Sequence, residues 1–547
     1  MIQARNPCFN SNARLKRLFD QGVMPMKSTQ TPPSAEAVPS ARRRTAVLAV
    51  MCLALAVVVG MLAALLVAAP DLARDLRATE AELQWIMNAY GVAFAGLLLT
   101  GGALGDRYGR KRVLLSGLTL FGLASAGAVF VDDVNIIITL RGVAGVGAAL
   151  VMPMTLAVIT HVFPPEERGR AVGTWSGISF GSALLGVLLA GGLLEAFSWR
   201  SVFAANALLA ALALLAAAVL TPPSKDPESA PLDAIGSLLS VAGIGALVYG
   251  TVEGPERGWT DTAVLAGFGL GAAGVAAFIT WELRCENPLL DPRVFRLRGV
   301  SAGSLIITAE TLAMFGFFFL LLQYLQQILG YSPFKAGLTM IPMAVAAIVV
   351  SPAAPPLAHR YGIRAVMGLG MAMIAGGLGV MVPFVDGTNY WPVLASTALL
   401  GAGIALAATP ATDAILAPLP PAKQGVASAL NDVTRELGGV LGIAILGSVF
   451  NTTYRSRTAH ATREMPGPVP DSARDSLAVA LHAARELGGR SGARLADATR
   501  DAFHAGMINA LVGGVVVVVA GAVAAMVLLT GGRSAAGKGR PPADHDS

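Results

Sequence analysis

The sequence predicts an all-α, polytopic membrane protein with fourteen transmembrane helices. Of its 547 residues, 54% are hydrophobic and only 14% are charged, whereas a soluble protein carries roughly 25% charged residues. The apolar residues come in blocks of about 20, the length of a helix that spans a bilayer, and the blocks recur along nearly the whole chain. Alternating segments of about 10 residues, typical of a membrane barrel, do not occur. The sequence therefore predicts one membrane domain and not a soluble domain with an anchor.

The blocks predict six spans, an insert of two spans, and six further spans. The first eight are expected at Thr45–Ala69, Gln84–Leu104, Val113–Val131, Ile136–Val162, Arg170–Leu193, Ser201–Leu220, Leu232–Val252 and Thr262–Trp281. The last six are expected at Ser301–Leu325, Ala336–Leu357, Arg364–Pro383, Trp391–Ala417, Gln424–Phe450 and His504–Thr530. The predicted units are a disordered tail at 1–44, an amino-terminal six-helix bundle at 45–221, a two-helix insert with linker at 222–298, a carboxy-terminal six-helix bundle at 299–530, and a tail at 531–547.

Lys and Arg residues predict the orientation of the spans. They crowd both tails and every second loop, for example Arg107–Arg112 and Arg293–Arg298, while the alternate loops are acidic or neutral. Cytoplasmic loops carry this excess, so both termini are expected in the cytoplasm. Topology also explains the net charge of +6, and no nucleic-acid partner is expected. The segment 451–503 falls on the opposite side as a long loop, in which the pattern around Leu477–Leu487 predicts an amphipathic surface helix.

Neither the amino-terminal tail nor the cysteines indicate a functional site. The first apolar run is expected to be a span and not a removed signal peptide, and Met1, Met24 and Met26 are all candidate first residues. The three cysteines form no disulfide framework or metal-ligand spacing. No nucleotide-binding P-loop, nucleophile elbow or metal-ligand cluster occurs, so an enzyme, ATP-driven transport and a bound cofactor are not expected.

The most informative motif is the short cationic loop Gly102–Arg112, between the second and third spans. A helix-ending glycine precedes Asp106, Gly109 permits a tight turn, and Arg107, Arg110 and Lys111 supply cations. Asp106 is expected to accept from amides of the next helix or to pair with a cation on a neighbouring helix. The alternative is that the cations only hold this loop on the cytoplasmic side and that Asp106 occurs among them by chance. The motif, from Gly102 onward, resembles the loop signature G-x-L-a-D-r-x-G-r-k of the major facilitator superfamily, and it implies a loop that latches the cytoplasmic side in one conformational state. Ala358–Arg364 is a weaker echo in the second half, without the acid.

Arg141 is the second motif residue, because it lies inside the fourth span, where a cation is costly. The run Arg141–Ala149 resembles the family motif R-x-x-q-G-x-G-a-A, with Ala144 at the usual Gln position. The resemblance implies a role of Arg141 in proton coupling or substrate contact. An arginine that snorkels to the interface is the alternative.

Two further regions depart from the 14-helix drug:proton antiporter group of the family. Gly186–Gly191 resembles the exporter motif G-P-x-x-G-G, with Val187 and Ala190 at the Pro and one Gly position. Helix packing by small residues explains this run equally well. In the first span, Met61 stands where these exporters carry an acid. A proton-binding acid must therefore come from elsewhere.

Glu310 is the first candidate, about ten residues into its span and hence near the midplane, where the ionised form is poorly solvated. A structural glutamate facing a polar neighbour is the alternative. Asp432, Arg435 and Glu436 share one helical face by their spacing, and their segment resembles the thirteenth helix of the antiporter group. An ion pair near the cytoplasmic helix end explains them equally well.

The resemblance implies a proton-coupled transporter that exports amphipathic small molecules by alternating access from a bacterial inner membrane, as a monomer in the lipid bilayer, with the proton gradient as its energy source. Met314, Phe315 and Phe318 are expected to line a largely apolar cavity. An importer or uniporter of the same fold, and a non-transporting sensor or scaffold, are the open alternatives.

Overall fold

The computed structural model describes residues 40–224, 233–286, 288–385, 389–418, 424–463 and 476–530, and within these ranges the chain is helical without strands. The helices of the first half and the insert are α1 (Ala41–Leu76), α2 (Glu80–Tyr108), α3 (Arg110–Ala128), α4 (Val134–Val162), α5 (Pro165–Ala196), α6 (Arg200–Leu220), α7 (Ala234–Arg257) and α8 (Thr262–Glu282). The remaining helices are α9 (Arg298–Gln323), α10 (Pro333–Leu338), α11 (Ile341–Val350), α12 (Ala354–Tyr361), α13 (Ile363–Met381), α14 (Trp391–Leu416), α15 (Gln424–Arg463), α16 (Leu477–Leu487) and α17 (Gly489–Thr530).

Fourteen spans account for these helices. In the described part of the chain, 12 segments are long and apolar enough to cross a bilayer, with α10 to α12 counted as one. The other two spans are α3, which begins with three cations and packs against α4 and α6, and α5, which packs against α1. α16 is too short to span and packs on α17.

Helix packing separates two bundles joined by the insert. In the first bundle α1 packs on α5 and α6, and α2 and α3 pack on α4. In the second, α9 packs on α14, α15 and α17, and α13 packs on α14. The insert helix α7 contacts both α2 and α15, so it lies along the seam between the bundles. We call the end that carries Ala41, Gly109 and Gly362 the basic face, and the end that carries Thr79 and Gly258 the far face.

The structure corrects several expected boundaries. α1 begins at Ala41, so the tail is shorter than 1–44 at its end, and residues 1–39 lie outside the described ranges, as do 464–475 and the tail 531–547. α15 and α17 continue well beyond the expected ends, to Arg463 and back to Gly489. Polar residues follow the apolar core of α15 and precede that of α17, and helix formation does not require apolar residues.

The span expected at Ala336–Leu357 is not one continuous helix. It consists of α10, α11, a 3₁₀ turn at Ser351–Ala353, and α12, and α10, α11, the turn and α12 each have proline in the first turn. Proline lacks the N–H that a helix interior needs but suits a first turn, so the prolines fix where each segment starts. The surface helix expected at Leu477–Leu487 is present as α16 and buries Leu477 and Ala480 on one side.

Candidate functional site

The turn between α2 and α3 is a single residue, Gly109. Its φ of 102° and ψ of 127° define a backbone conformation that residues with a side chain rarely adopt. Its N–H donates to the Gly105 carbonyl, and α3 begins at the next residue. The expectation that α2 ends before Asp106 is wrong, because the helix continues to Tyr108 and places Asp106 in its last turn.

Asp106 pairs with the first residue of α3. Arg110 donates to Asp106 Oδ1 from Nη2 at 3.2 Å and from Nε at 3.4 Å. Its Nη1 also donates to the Ala157 carbonyl of α4 at 3.3 Å, and its backbone N–H donates to the Ser224 carbonyl at 2.9 Å. One arginine thus ties α2, α3, α4 and the linker into one unit at the basic face.

The glycines of this motif, together with Gly101 just before it, divide into two groups by packing. A Cβ on Gly105 would lie 2.0 Å from Met154 Sδ, and one on Gly101 would lie 2.0 Å from the Ala149 carbonyl oxygen. Gly102 is freer, since its nearest neighbour would be Pro153 Cβ at 3.9 Å. Gly101 and Gly105 therefore set the close approach of α2 to α4. Arg107 is exposed over the Tyr108 ring, and Lys111 is half-buried.

Arg141 is buried at 1% exposure, so it does not snorkel. Its Nε donates to the Ile86 carbonyl of α2 at 2.9 Å, and the guanidinium lies 4.4 Å from the centroid of the Tyr90 ring. Both terminal nitrogens lack a hydrogen-bond partner among the described residues. The Tyr90 hydroxyl donates to the Val58 carbonyl of α1 at 3.1 Å. Tyr90, which sequence reasoning missed, thus connects Arg141 to α1.

The structure brings Glu310 near the group of charged residues on α15, which the sequence predicted as a separate candidate. Arg435 on α15 lies within electrostatic range of Glu310 on α9 and of its own neighbours Asp432 and Glu436. The Thr308 hydroxyl donates to the Thr434 carbonyl at 3.4 Å, so the turn of α9 with Glu310 packs beside the turn of α15 with Arg435. We call Glu310, Asp432, Glu436 and Arg435 the cluster, and Tyr90 on α2 of the first bundle lies within electrostatic range of its member Glu436.

The members of this cluster differ in exposure. Glu310 is buried at 2% exposure, and its Oε2 has no partner among the described residues. Asp432, Arg435 and Glu436 are half-buried. The side chain of Asn431, beside Asp432, accepts from the Thr412 hydroxyl of α14 at 3.1 Å.

Close helix packing holds the cluster in place. A Cβ on Gly438 would lie 2.0 Å from Thr311 Oγ1, and one on Gly442 would lie 2.2 Å from the Leu312 carbonyl oxygen. α9 and α15 therefore run almost in backbone contact in the helical turns that follow the acids. Met314, Phe315 and Phe318 are half-buried, between fully buried neighbours on the same helix, and Phe315 covers Gly439. Their role as a cavity wall stays a prediction.

The exporter-like run of α5 contacts both bundles. A Cβ on Gly186 would lie 2.3 Å from the Gly60 carbonyl oxygen of α1, and one on Gly191 would lie 2.7 Å from Phe334 Cα of α10. The Ser332 hydroxyl, at the start of α10, donates to Glu195 of α5. Gln326 Nε2 donates to the Val67 carbonyl of α1 at 2.9 Å. These bundle-to-bundle contacts all lie toward the far face.

A polar stripe on α2 was also missed. Glu80, Gln84 and Asn88 recur every fourth residue on this otherwise apolar helix and are almost fully buried, at 2%, 0% and 1% exposure. The spacing of four was visible in the sequence, but by the expected bounds Glu80 lay in an acidic loop and Gln84 was the first residue of the second span.

A family model described as Major Facilitator Superfamily matches residues 51–443. The chain therefore belongs to the major facilitator superfamily, and this membership identifies a multi-pass membrane transporter and not an enzyme.

Several named proteins are similar to this chain. The chain is 33% identical over 406 residues to the multidrug resistance protein Stp of Mycobacterium tuberculosis, covering 74% of this chain and 75% of that protein. It is 31% identical over 461 residues to the multidrug efflux pump LfrA of Mycolicibacterium smegmatis, covering 83% and 90%. Among solved structures, a bacterial homologue of the human lysosomal transporter Spinster, in an inward-facing and unoccupied conformation, superposes with a TM-score of 0.65 at 15% identity, covering 90% of this chain and 99% of that one.

Proposed function

We propose that this protein is a proton-coupled exporter of amphipathic small molecules that works by alternating access. The observation that carries the proposal is the cluster of Glu310, Asp432 and Glu436 around Arg435, inside the membrane region of a chain whose relatives include named multidrug resistance and efflux proteins.

The cluster has more acids than it can hold in ionised form. One arginine balances one carboxylate, and further ionised carboxylates in a poorly solvated site repel each other. At least one acid therefore carries a proton when the site is closed to water, and a change in access to water changes that number. This is the linkage that proton coupling requires. Glu310 is our first choice for the exchanging acid, because it is the most buried and lies on a different helix from the arginine. Arg141 serves the same coupling through Tyr90.

We infer the orientation from charge. The basic face carries the cationic loops, so it lies in the cytoplasm with both termini, in a bacterial inner membrane. The contacts of α5 with α10, and of α1 with the Gln326 side chain, then close the outside of the molecule. In this state, Asp106 and Arg110 hold the cytoplasmic ends of the first bundle together, and they meet the second bundle only after rearrangement.

The substrate contacts Met314, Phe315 and Phe318 on α9. These flexible and aromatic side chains can adapt to amphipathic molecules of varied shape. The transporter acts as a monomer with protons and a small molecule as partners, and it uses no cofactor.

The test is substrate flux in proteoliposomes with an imposed pH gradient. Glu310→Gln keeps the shape of the protonated acid, so we expect gradient-driven accumulation to be lost while substrate binding and downhill exchange remain. Asp432→Asn and Glu436→Gln should have milder effects, and Asp75→Asn, an exposed acid at the far face, is the matched control. If the Glu310→Gln variant keeps full gradient-driven transport, the proton site is instead one of the acids on α15, Asp432 or Glu436.

An importer or uniporter of the same fold is the second candidate, favoured by Met61 in the first span and by Val187 in α5. It predicts the opposite dependence on the pH gradient, or none. Absence of any flux would instead favour a sensor or scaffold.

A further inference from the structure

Glu80 is a buried acid that the proposed central site does not use. It is the first residue of α2, at the far face, with 2% exposure. The helix start does not need it for capping, because Thr79 and Glu82 form a complete capping box. Its burial therefore calls for another explanation.

Glu80 lies at the seam between the two bundles. Gln323 of α9 donates from Nε2 to Glu80 Oε2 at 3.5 Å, a long bond across the seam. On the other side, a Cβ on Gly447 would lie 2.7 Å from Gln84 Cδ, and one on Gly91 would lie 2.4 Å from Val440 Cγ2. These two contacts fix an antiparallel register of α2 with α15, and that register places Asn451 level with Glu80.

The charged groups around Glu80 do not supply a direct counter-ion. On α7, Glu256 lies within electrostatic range of Glu80, and Arg455 of α15 pairs with Glu256 at 3.9 Å. Glu253 of α7 accepts from Trp85 Nε1 at 3.0 Å and pairs with Arg257. His504 of α17 lies beside Tyr324. In the described ranges no cation pairs with Glu80 itself, so a carboxylate there has little besides one amide to stabilise it.

The amides along this seam lack partners. Both side-chain polar atoms of Gln84, Asn88 and Asn451, and Oε1 of Gln323, are buried and make no hydrogen bond within the described chain. Native proteins rarely leave buried amides without a hydrogen-bond partner. Water satisfies such groups wherever it gains access, and these groups lie on the surfaces that separate when the far face opens. The stripe is thus suited to lining an aqueous passage.

We propose that Glu80 is a second proton-binding residue of the transport cycle, and that its seam with Gln84, Asn88, Asn451 and Gln323 is the outer gate. When the far face is open, Glu80 is hydrated and ionised. Closing the gate removes Glu80 from water, and burying the neutral acid costs much less free energy than burying the carboxylate. Closing the gate therefore takes one proton from the outer solution, and opening returns it. The inference rests on the alternating access proposed above, but not on export or on Glu310.

Cysteine labelling tests the gate without a substrate. In a chain whose three native cysteines are replaced by Ala, Gln84→Cys is exposed to a membrane-impermeant maleimide from the far side at several pH values. Thr260→Cys, in the exposed turn after α7, provides the reference rate for the pH dependence of the reagent. We expect the normalised rate at position 84 to fall on acidification, by at most about tenfold per pH unit for one linked proton.

The Glu80→Gln variant should label slowly at every pH, because a neutral side chain favours the closed gate. Glu80→Asp should restore the pH dependence, and Asp75→Asn should leave it unchanged. Repeating the series in a Glu310→Gln background removes any pH dependence of labelling that comes from the proposed central site. The pH dependence that remains then comes from the seam.

A pH dependence that survives Glu80→Gln in both backgrounds would overturn the proposal, as would a position 84 that never labels while Thr260→Cys does. Failure of the export proposal would instead appear only in the flux assay. Size-exclusion profiles in detergent show whether each variant is folded.

Discussion

The turn between α2 and α3 and the turn between α12 and α13 have the same backbone but different side chains. Gly109 has a φ of 102° and Gly362 a φ of 87°, and each donates its N–H to the carbonyl four residues earlier. In both halves the next helix starts at the following residue. The repeated glycine therefore reproduces the turn in both halves of the molecule.

The side chains make only the first turn an anchor. Asp106 and Arg110 pair across Gly109, while the equivalent positions around Gly362 hold His359 and Ile363. A Cβ on Gly362 would meet nothing within 4 Å, whereas one on Gly109 would lie 3.4 Å from the Ser224 carbonyl oxygen. The backbone turn is thus separable from the anchoring role, and the two halves allow each to be changed alone.

Among substitutions at the two turns, the largest effect on transport is expected from Asp106→Asn. It removes the charge from the ion pair with Arg110 while conserving shape, so transport should fall roughly tenfold, within the range of conformational coupling energies. Folding should be normal, since the pair is partly exposed. Flux in proteoliposomes with matched protein amounts measures the effect, and Asp75→Asn is the control. Normal flux in Asp106→Asn would show that the pair is only a structural detail.

Alanine at the two turn glycines should separate stability from function. Each substitution strains the backbone by about 1–3 kcal/mol, so the melting temperature should fall by similar amounts for Gly109→Ala and Gly362→Ala. Only Gly109→Ala should also reduce transport, because it displaces Asp106 from Arg110. Equal transport losses in the two variants would contradict the asymmetry of the two turns.

The smallest effect is expected from giving the second turn the missing pair, as His359→Asp together with Ile363→Arg. An exposed ion pair one helical turn apart adds about 0.3–0.5 kcal/mol, so the melting temperature should change little and flux should stay at the parent value. A clear change in flux would mean that the second turn has a latching role that its present side chains merely weaken.

The sequence predicted the elements that depend on local patterns. Block length predicted the fourteen spans, and the alternation of Leu and Ala with charge predicted α16 with its observed bounds. The sequence predicted a tight turn at Gly109 and left Asp106 to accept from helix amides or to pair with a cation, and the structure shows the pair with Arg110. Proline, by contrast, breaks the span from α10 to α12 at points that hydropathy does not reveal.

The site depended on tertiary packing and could be predicted only in parts. The acids were identifiable because charges are rare in apolar spans. The approach of Glu310 to Arg435 was not, because it requires α9 and α15 to pack closely at Gly438 and Gly442. Glu80 escaped notice for a related reason. By the expected bounds it lay in an acidic loop before the second span, and its burial at the seam with α9 depends on tertiary packing.

The lengths of α15 and α17 have a practical consequence for imaging. With 40 and 42 residues, they are about 60 Å long at 1.5 Å per residue, twice the roughly 30 Å of hydrocarbon in a bilayer. With α16 packed on α17, they extend the second bundle past the far face as a stiff helical projection. A 56.0 kDa protein that is otherwise hidden in a detergent micelle offers few features for aligning particles in electron cryomicroscopy. An antibody fragment raised against this projection would provide such a feature, and its tilt relative to the micelle would report the orientation of the second bundle in each conformational state.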